Sequence, residues 1–473
     1  MVSSLYIAGS LLASLIPSNA KYQYSNSSIP STNLYPTDSW TSGQVGISYT
    51  TQLPDTELTT ILQEIDPLRI QAIIEKLVSF GTRHTLSTQT DPGRGIGAAR
   101  DWLLGQYKGF AEESEERMEI ELQSYVQGVA NRISFLANIS NVVATLKGSG
   151  DPERIVVISG HYDSRNTDVM NFVDDAPGAD DDASGVAISL ELTRVMAKHR
   201  PTATIIFAAV AGEEQGLYGS TYLAQLLSNH SANVEGMWTN DIVGSPVGDD
   251  GKNHSNIVRL FAQGVPTTET STRASQRLSI GGENDSPARQ LGRFTRDVAS
   301  NNVTGMNVEL IYRADRYLRG GDHMPFLRAG YPAVRFTEPR ENFAHQHQDV
   351  RVSNGMQFGD LPEFCDFNYI ARVGRVTGAA VWSLAMAPDM PKNVTIDAKE
   401  LTNDSELRWE KVVGAKGYEV LWRGTSERDW GSVLEVGDVS GARIGVSKDN
   451  MIFGVRSVGS NGYKSPAVFP FPG

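Results

Sequence analysis

Histidines and carboxylates recur where strand-like runs of the chain have just ended. GHYDS supplies His161 and Asp163, AGEEQGLYGS supplies Glu213 and Glu214, Asp241 follows VEGMWTN, and ENFAHQHQDV carries His345 and His347. A further stretch, PGADDDASG, sets Asp180, Asp181 and Asp182 side by side before a run of small and apolar residues. Taken singly, each has an ordinary explanation. Acidic side chains suit the first turn of a helix, where backbone N–H groups and the dipole favour negative charge. Brought together at one sheet edge, however, these groups would repel and desolvate one another unless a cation held them. Neutral imidazole and carboxylate oxygen form a donor set that suits zinc or a similar divalent ion.

The elements that must position these residues are legible as alternation. Short β-branched runs (NVVATLKG, RIVVISG, ATIIFAAV, VEGMWTNDIV, NIVRLFAQG, NVELIY and YPAVRF) are interleaved with helical patterns between residues 140 and 340. In ASGVAISLELTRVMAKHR, Ile188, Leu192 and Val195 fall at i, i+4 and i+7 before Pro201 stops the helix. Such alternation predicts an α/β fold with a mixed central sheet, mostly parallel in its middle and flanked by helices. Function in such a sheet belongs at the carboxyl ends of the strands. Helical spacing begins at LPDTELTTILQEIDPLRIQ, and the first folded unit is expected over residues 61–388. The composition changes near MAPDMPKNV, and residues 389–473 contain no helical stretch. There ELRWEKV, GYEVLWRG and MIFGVRSV predict a small β-sandwich with Trp409, Tyr418, Trp422, Phe453 and Val455 as core. Its pattern resembles a fibronectin type III domain.

Composition narrows the class. A chain of 473 residues implies two or three folding units, and its 40% apolar and 21% charged content is that of a soluble globular protein. The formal charge of −13 argues against a nucleic-acid partner. LYIAGSLLASLI followed by PSNA reads as a cleavable secretory signal over residues 1–20, too short to span a bilayer, and residues 21–60 read as a leader or pro-segment. Asn-x-Ser/Thr sequons at Asn26, Asn138, Asn229, Asn253, Asn284, Asn302, Asn393 and Asn403 agree with a secreted, N-glycosylated protein. The single cysteine, Cys365, excludes an intramolecular disulfide.

GRGIGA at 93–98 follows a polar loop rather than a strand and is not a dinucleotide fingerprint. There is neither an H-E-x-x-H nor a G-x-S-x-G motif. Instead the succession GHYDS, PGADDDASG, EEQGLYGS, a strand-end Asp, and a His with Asp four residues on resembles the co-catalytic two-zinc exopeptidases that include bacterial leucyl aminopeptidase. Glutamate carboxypeptidase and glutaminyl cyclase are more distant relatives on the same scaffold. The resemblance spans about residues 65–385. It implies two zinc ions per chain, one held by His161 and Asp241, the other by Glu214 and His345, with Asp181 bridging. His345 is chosen over His347 because only His345 has Asp349 four residues on. Asp163 would orient His161, and Glu213 would serve as general base and later as acid. Tyr317, Arg319 and His323, in RYLRGGDHMPF, are candidates for stabilising the transition state. The implied activity is hydrolysis of N-terminal peptide bonds, with carboxypeptidase, cyclase and non-catalytic adhesion or receptor roles as alternatives.

Overall fold

The computed structural model describes residues 45–473, so the expected signal segment lies outside the described residues. Ile47–Ser48 forms β1. Helix α1 (Thr56–Gln63) starts where the Asp55 side chain accepts the Leu58 N–H at 2.8 Å, and α2 (Pro67–Val78) pairs an Asp66 cap with proline at its first position. The expected boundary at 60/61 therefore falls inside α1. After α3 (Gly95–Glu112) come β2 (Met118–Gln127), β3 (Ala137–Leu146), β4 (Asp151–His161), α4 (Ala183–Met196), β5 (Ala203–Val210), α5 (Tyr218–Asn229) and β6 (Asn233–Asn240). The unit continues through β7 (Ile257–Ala262), α6 (Ser271–Ser279), α7 (Pro287–Ala299), β8 (Asn307–Ile311), α8 (His323–Arg328) and β9 (Ala333–Thr337). It closes with the hairpin β10 (Arg351–Ser353) and β11 (Met356–Phe358) and the long helix α9 (Phe367–Met386).

Eight strands form one sheet in the order β2-β3-β5-β4-β6-β9-β7-β8. The middle four, β5, β4, β6 and β9, are mutually parallel, while β2, β3 and β7 introduce antiparallel pairings. Each strand-like run of the sequence between 140 and 340 is a strand here. Edge strand β2, MEIELQSYVQ, lies outside the β-branched runs read from the sequence; it alternates polar and apolar residues, as a half-exposed strand does. β5, by contrast, is buried along its whole length, as a central parallel strand covered on both faces must be. One face carries a large apolar core under α1–α4 and α9, centred on residues such as Ile74, Ile188, Leu192, Val376 and Trp382. The other carries a smaller one under α5 and α8, with Val157, Leu223, Met237 and Phe326. Helix α4 is buried on every side rather than on one stripe, because it lies against β4 between α2 and α9.

Two glycines set how closely α4 approaches the strand ends. A Cβ on Gly160 would stand 2.5 Å from the Gly185 backbone, and one on Gly185 would stand 2.0 Å from the Asn240 carbonyl oxygen. Their absence of side chain lets the start of α4 settle between the ends of β4 and β6, placing the three aspartates beside His161.

The C-terminal unit contains β12 (Lys392–Ile396), β13 (Ser405–Glu410), β14 (Ala415–Gly424), β15 (Ser432–Gly437), β16 (Gly441–Ile444), β17 (Met451–Gly459) and β18 (Phe471–Pro472). Its two sheets, β1-β15-β14-β17 and β16-β13-β12-β18, share a core that includes Trp409, Tyr418, Trp422, Phe453 and Val455. The edge strand β1 comes from the segment expected to be a leader: Ile47 and Ser48 pair with Val433 and Ser432. Polar contacts then join this unit to α7 and the turn before it. Asp285 receives Arg293 at 3.1 Å and Arg423 at 2.6 Å, and the Tyr49 hydroxyl donates to Asp297. Among the described residues no helix is long and apolar enough to cross a membrane.

Candidate metal centre

The three adjacent aspartates divide their work. Asp182 accepts the Gly185 N–H at 3.0 Å, capping α4, and its other oxygen accepts the His161 N–H at 3.0 Å, tying the helix start to the end of β4. Asp180 turns the other way and accepts the Gly244 N–H at 2.6 Å, which fixes the loop after β6. Asp181 is left facing the cleft. Its own N–H and that of Asp180 are received by Asp360 at 2.8 and 2.7 Å. Asp360 sits just beyond the β10–β11 hairpin and is one of the supports that the sequence reading missed.

Around Asp181 two donor groups form. His161 Nε2 lies 3.1 Å from Asp181 Oδ1 and 3.9 Å from Asp241 Oδ1; His347 Nε2 lies 2.8 Å from both Asp181 Oδ2 and Glu214 Oε1. Each group offers one nitrogen and two carboxylate oxygens, all within 4.8 Å of one another. His161, Asp181, Asp241 and Glu214 are buried and His347 is half-buried. Burial works against a charged His161 ring, but Asp163, Asp181 and Asp241 override it and raise its pKa well above the usual range. The same contest raises that of His347 to about 10, with Glu214 and Asp181 prevailing. Despite these short separations, His161 Nε2, His347 Nε2 and Glu214 Oε1 have no hydrogen-bond partner. Buried donor atoms that converge without bonding one another fit a divalent cation between them.

The placement of the histidine pair differs from the sequence expectation. His345 stacks on Phe364 with ring centroids 3.5 Å apart and stands outside both donor groups; His347 takes the place expected for it. The chain reverses here, with His347 at φ +51°, and a four-residue spacing carries no directional information in a turn. Asp349, on which the choice rested, instead joins a remote loop, accepting the Thr167 N–H at 3.2 Å.

Asp163 also does more than expected. Its two carboxylate oxygens accept the N–H groups of Glu213 and Glu214 at 3.2 and 3.1 Å, fixing the turn that presents both glutamates. His161 Nδ1 meets the Asp163 carbonyl oxygen at 3.1 Å, with the carboxylate at 3.6 Å. Glu213 lines the cleft but belongs to neither donor group. Burial, assisted by Asp241 and Glu214, pushes its carboxyl well above the usual range. A carboxylate displaced toward neutrality is suited to taking up a proton and releasing it again.

Asp241 has a partner that the sequence reading passed over. Arg335, fully buried on β9, donates to Asp241 Oδ1 at 2.7 Å and reaches Asp315 at 3.3 Å. Burial opposes the Asp241 charge, yet Arg335 and His161 hold its pKa below the usual value. The signal was present in YPAVRF, since an arginine within an apolar strand needs carboxylates to meet it. Of the three candidates for stabilising a transition state, Arg319 lines the cleft. Tyr317 is exposed, and His323 is buried with Nε2 against the Ala314 carbonyl oxygen at 2.7 Å. The cleft itself has a volume of about 560 Å³.

A family model described as peptidase family M28 matches residues 141–353, which contain all five residues of the two donor groups together with Glu213. A protein of Pyricularia oryzae described as a probable zinc metalloprotease is 60% identical over 91% of this chain and 88% of its own length. One of Leptosphaeria maculans with the same description is 59% identical over 91% of this chain and 100% of its own. Among solved structures, LapA of Legionella pneumophila matches with TM-score 0.50 at 17% identity, covering 71% of this chain and 78% of that one, a likeness of fold. Relatives this similar over nearly the whole chain, together with the converging donor atoms, place it in peptidase family M28, among the zinc metalloproteases.

Proposed function

We propose that the protein is a secreted two-zinc exopeptidase that removes N-terminal residues from peptides. The observation that carries this reading is Asp181, whose two carboxylate oxygens each belong to a different donor group. His161 and Asp241 would hold one zinc, Glu214 and His347 the other, and Asp181 would be shared. Zinc in these places lowers the pKa of a water and polarises a peptide carbonyl.

Residues of the chain supply the rest. Glu213 takes the proton of the attacking water as its oxygen bonds to the carbonyl carbon, and returns it to the amine nitrogen as the C–N bond breaks. Asp163 holds Glu213 and Glu214 in register by their backbone N–H groups. Arg335 keeps Asp241 ionised and aimed at His161.

Export is supported by the apolar N-terminal stretch and by sequon asparagines 229, 253, 284, 302, 393 and 403, all exposed, as glycan acceptors must be. The C-terminal unit, with two small sheets around an aromatic core, is read as a fibronectin type III-like sandwich. It contributes no residue to the cleft lining.

The test is metal analysis of the purified protein coupled to a panel of aminoacyl chromogenic substrates with and without EDTA. Two zinc ions per chain and EDTA-sensitive release of N-terminal residues are expected. Two zinc ions with release only of C-terminal residues would replace the aminopeptidase reading by the carboxypeptidase one. Absence of metal and of hydrolysis would leave a binding or adhesion role.

A further inference from the structure

We propose that the cleft is built to grip a carboxylate of the substrate beside the scissile bond, through Arg132 and Arg165, with Arg319 lining the same cleft. The proposal rests on the exopeptidase reading of the site and names the class of substrate it takes.

The charge on the cleft walls carries the argument. Every carboxylate lining the cleft is either Glu213 or a member of a donor group: Asp181, Glu214 and Asp241. Four arginines line it as well. Arg316 is spent internally between Asp315 at 3.0 Å and Glu341 at 3.3 Å, and Arg319 shares Glu341 at 2.6 Å while remaining one-third exposed. Arg132 and Arg165 form no ion pair among the described residues; their side-chain hydrogen bonds go to backbone carbonyls alone. Arg132 Nη1 donates to the Glu214 carbonyl oxygen at 2.9 Å, and Arg165 donates to the carbonyls of Asn166 and Thr167 at 3.1 and 3.2 Å.

Those contacts steer the guanidinium groups without neutralising them. In a chain of formal charge −13, the four arginines of the lining match its four carboxylates, and Arg132 and Arg165 are the two whose charge no carboxylate meets in an ion pair among the described residues. Planar guanidinium donors match a carboxylate in bidentate fashion, and Arg132 is tied to the backbone of a donor-group residue. An anion held there would therefore lie close to the metal centre. A volume of about 560 Å³ suits a short peptide rather than a folded chain. The carboxylate could come from the substrate's own C-terminus or from an acidic side chain, and both present the same chemistry to the arginines.

The test uses the full-length zinc-loaded protein and four substrates: leucyl-alanine, its C-terminal amide, leucyl-glutamate amide and leucyl-glutamine amide. The expected result is that kcat/KM for at least one carboxylate member exceeds its uncharged twin by about ten-fold or more, the size of a charged hydrogen bond. That ratio should fall towards one in the Arg132→Gln/Arg165→Gln double variant with zinc content intact. A preference within the first pair assigns the site to the C-terminal carboxylate, and one within the second pair to an acidic side chain. Hydrolysis of all four at equal kcat/KM, with ratios unmoved by the double variant, overturns the proposal and leaves the exopeptidase reading standing. If none is hydrolysed, that reading fails instead, and the carboxylate site is judged by calorimetry with leucyl-alanine and its amide. Equal affinity for the two overturns it, whereas tighter binding of the acid, lost in the double variant, sustains it.

Discussion

His347 Nε2 stands 2.8 Å from Asp181 Oδ2 and 2.8 Å from Glu214 Oε1, while His345, two residues earlier, lies flat against Phe364. Replacing each histidine in turn separates their roles. His347→Ala is expected to lose one of two bound metal equivalents and to lower kcat/KM by at least about 100-fold, the scale on which an essential catalytic group acts. His345→Ala should retain both equivalents and cost only packing. Elemental analysis of the two purified variants decides the matter; retention of full metal by His347→Ala would remove it from the site.

Asp181 faces both donor groups, so Asp181→Asn should weaken both metal sites together rather than one. Zinc titration of the variant should show no remaining tight equivalent. A variant that keeps one tight equivalent would show that the two oxygens do not act as a bridge.

Glu213 is outside both donor groups, and its proton affinity is raised chiefly by burial. Glu213→Gln is therefore expected to fold and to bind metal normally while losing roughly 10²–10⁴-fold in kcat. Circular dichroism and metal content provide the controls. Activity near wild type would assign proton transfer elsewhere.

Asp163 connects the His161 strand end to the glutamate turn through the N–H groups of Glu213 and Glu214. Asp163→Ala removes the acceptor of two N–H groups, of which that of Glu214 is buried and costs roughly 1–3 kcal/mol when left unmet. A lower Tm and a reduced kcat with KM little changed are expected from thermal unfolding and steady-state kinetics. An unchanged kcat would show that the turn holds Glu213 without it.

In the C-terminal unit, Glu419 is buried against Arg456 at 2.7 Å and Lys464 at 2.7 Å. Burial alone would raise its pKa, but Arg456 and Lys464 bring it below the usual value. A carboxylate depressed on folding stabilises fully above its unfolded pKa of about 4.3, and the contribution is lost as pH falls through the folded value. Breaking a buried pair by removing one partner costs about 3–5 kcal/mol. Glu419→Gln should therefore lower stability near pH 7 by an amount of that order, with the gap from wild type narrowing below about pH 4. Denaturant unfolding at several pH values measures it, and a gap independent of pH would exclude the charge as its cause.

Much of this molecule could be read from local pattern. Apolar runs such as ATIIFAAV and RIVVISG mark buried strands, because both faces of a central parallel strand must be covered. The ends of those runs mark where His161, Glu213, Glu214 and Asp241 stand, because strand direction fixes which edge they reach. The aromatic positions of the C-terminal unit were legible for a similar reason: bulky side chains at strand spacing need a core.

Tertiary structure decided what depends on contacts distant in sequence. Which histidine faces Asp181 is settled by a chain reversal at His347, and no spacing rule encodes the direction of a turn. Arg335 and Asp360 meet the site across 94 and 179 residues of chain. The pairing of Ile47 with Val433, which makes part of an apparent leader an integral strand, joins opposite ends of the sequence. Local periodicity reports which face of an element is buried, whereas the partner of a buried charge or an edge strand is chosen only when the elements pack.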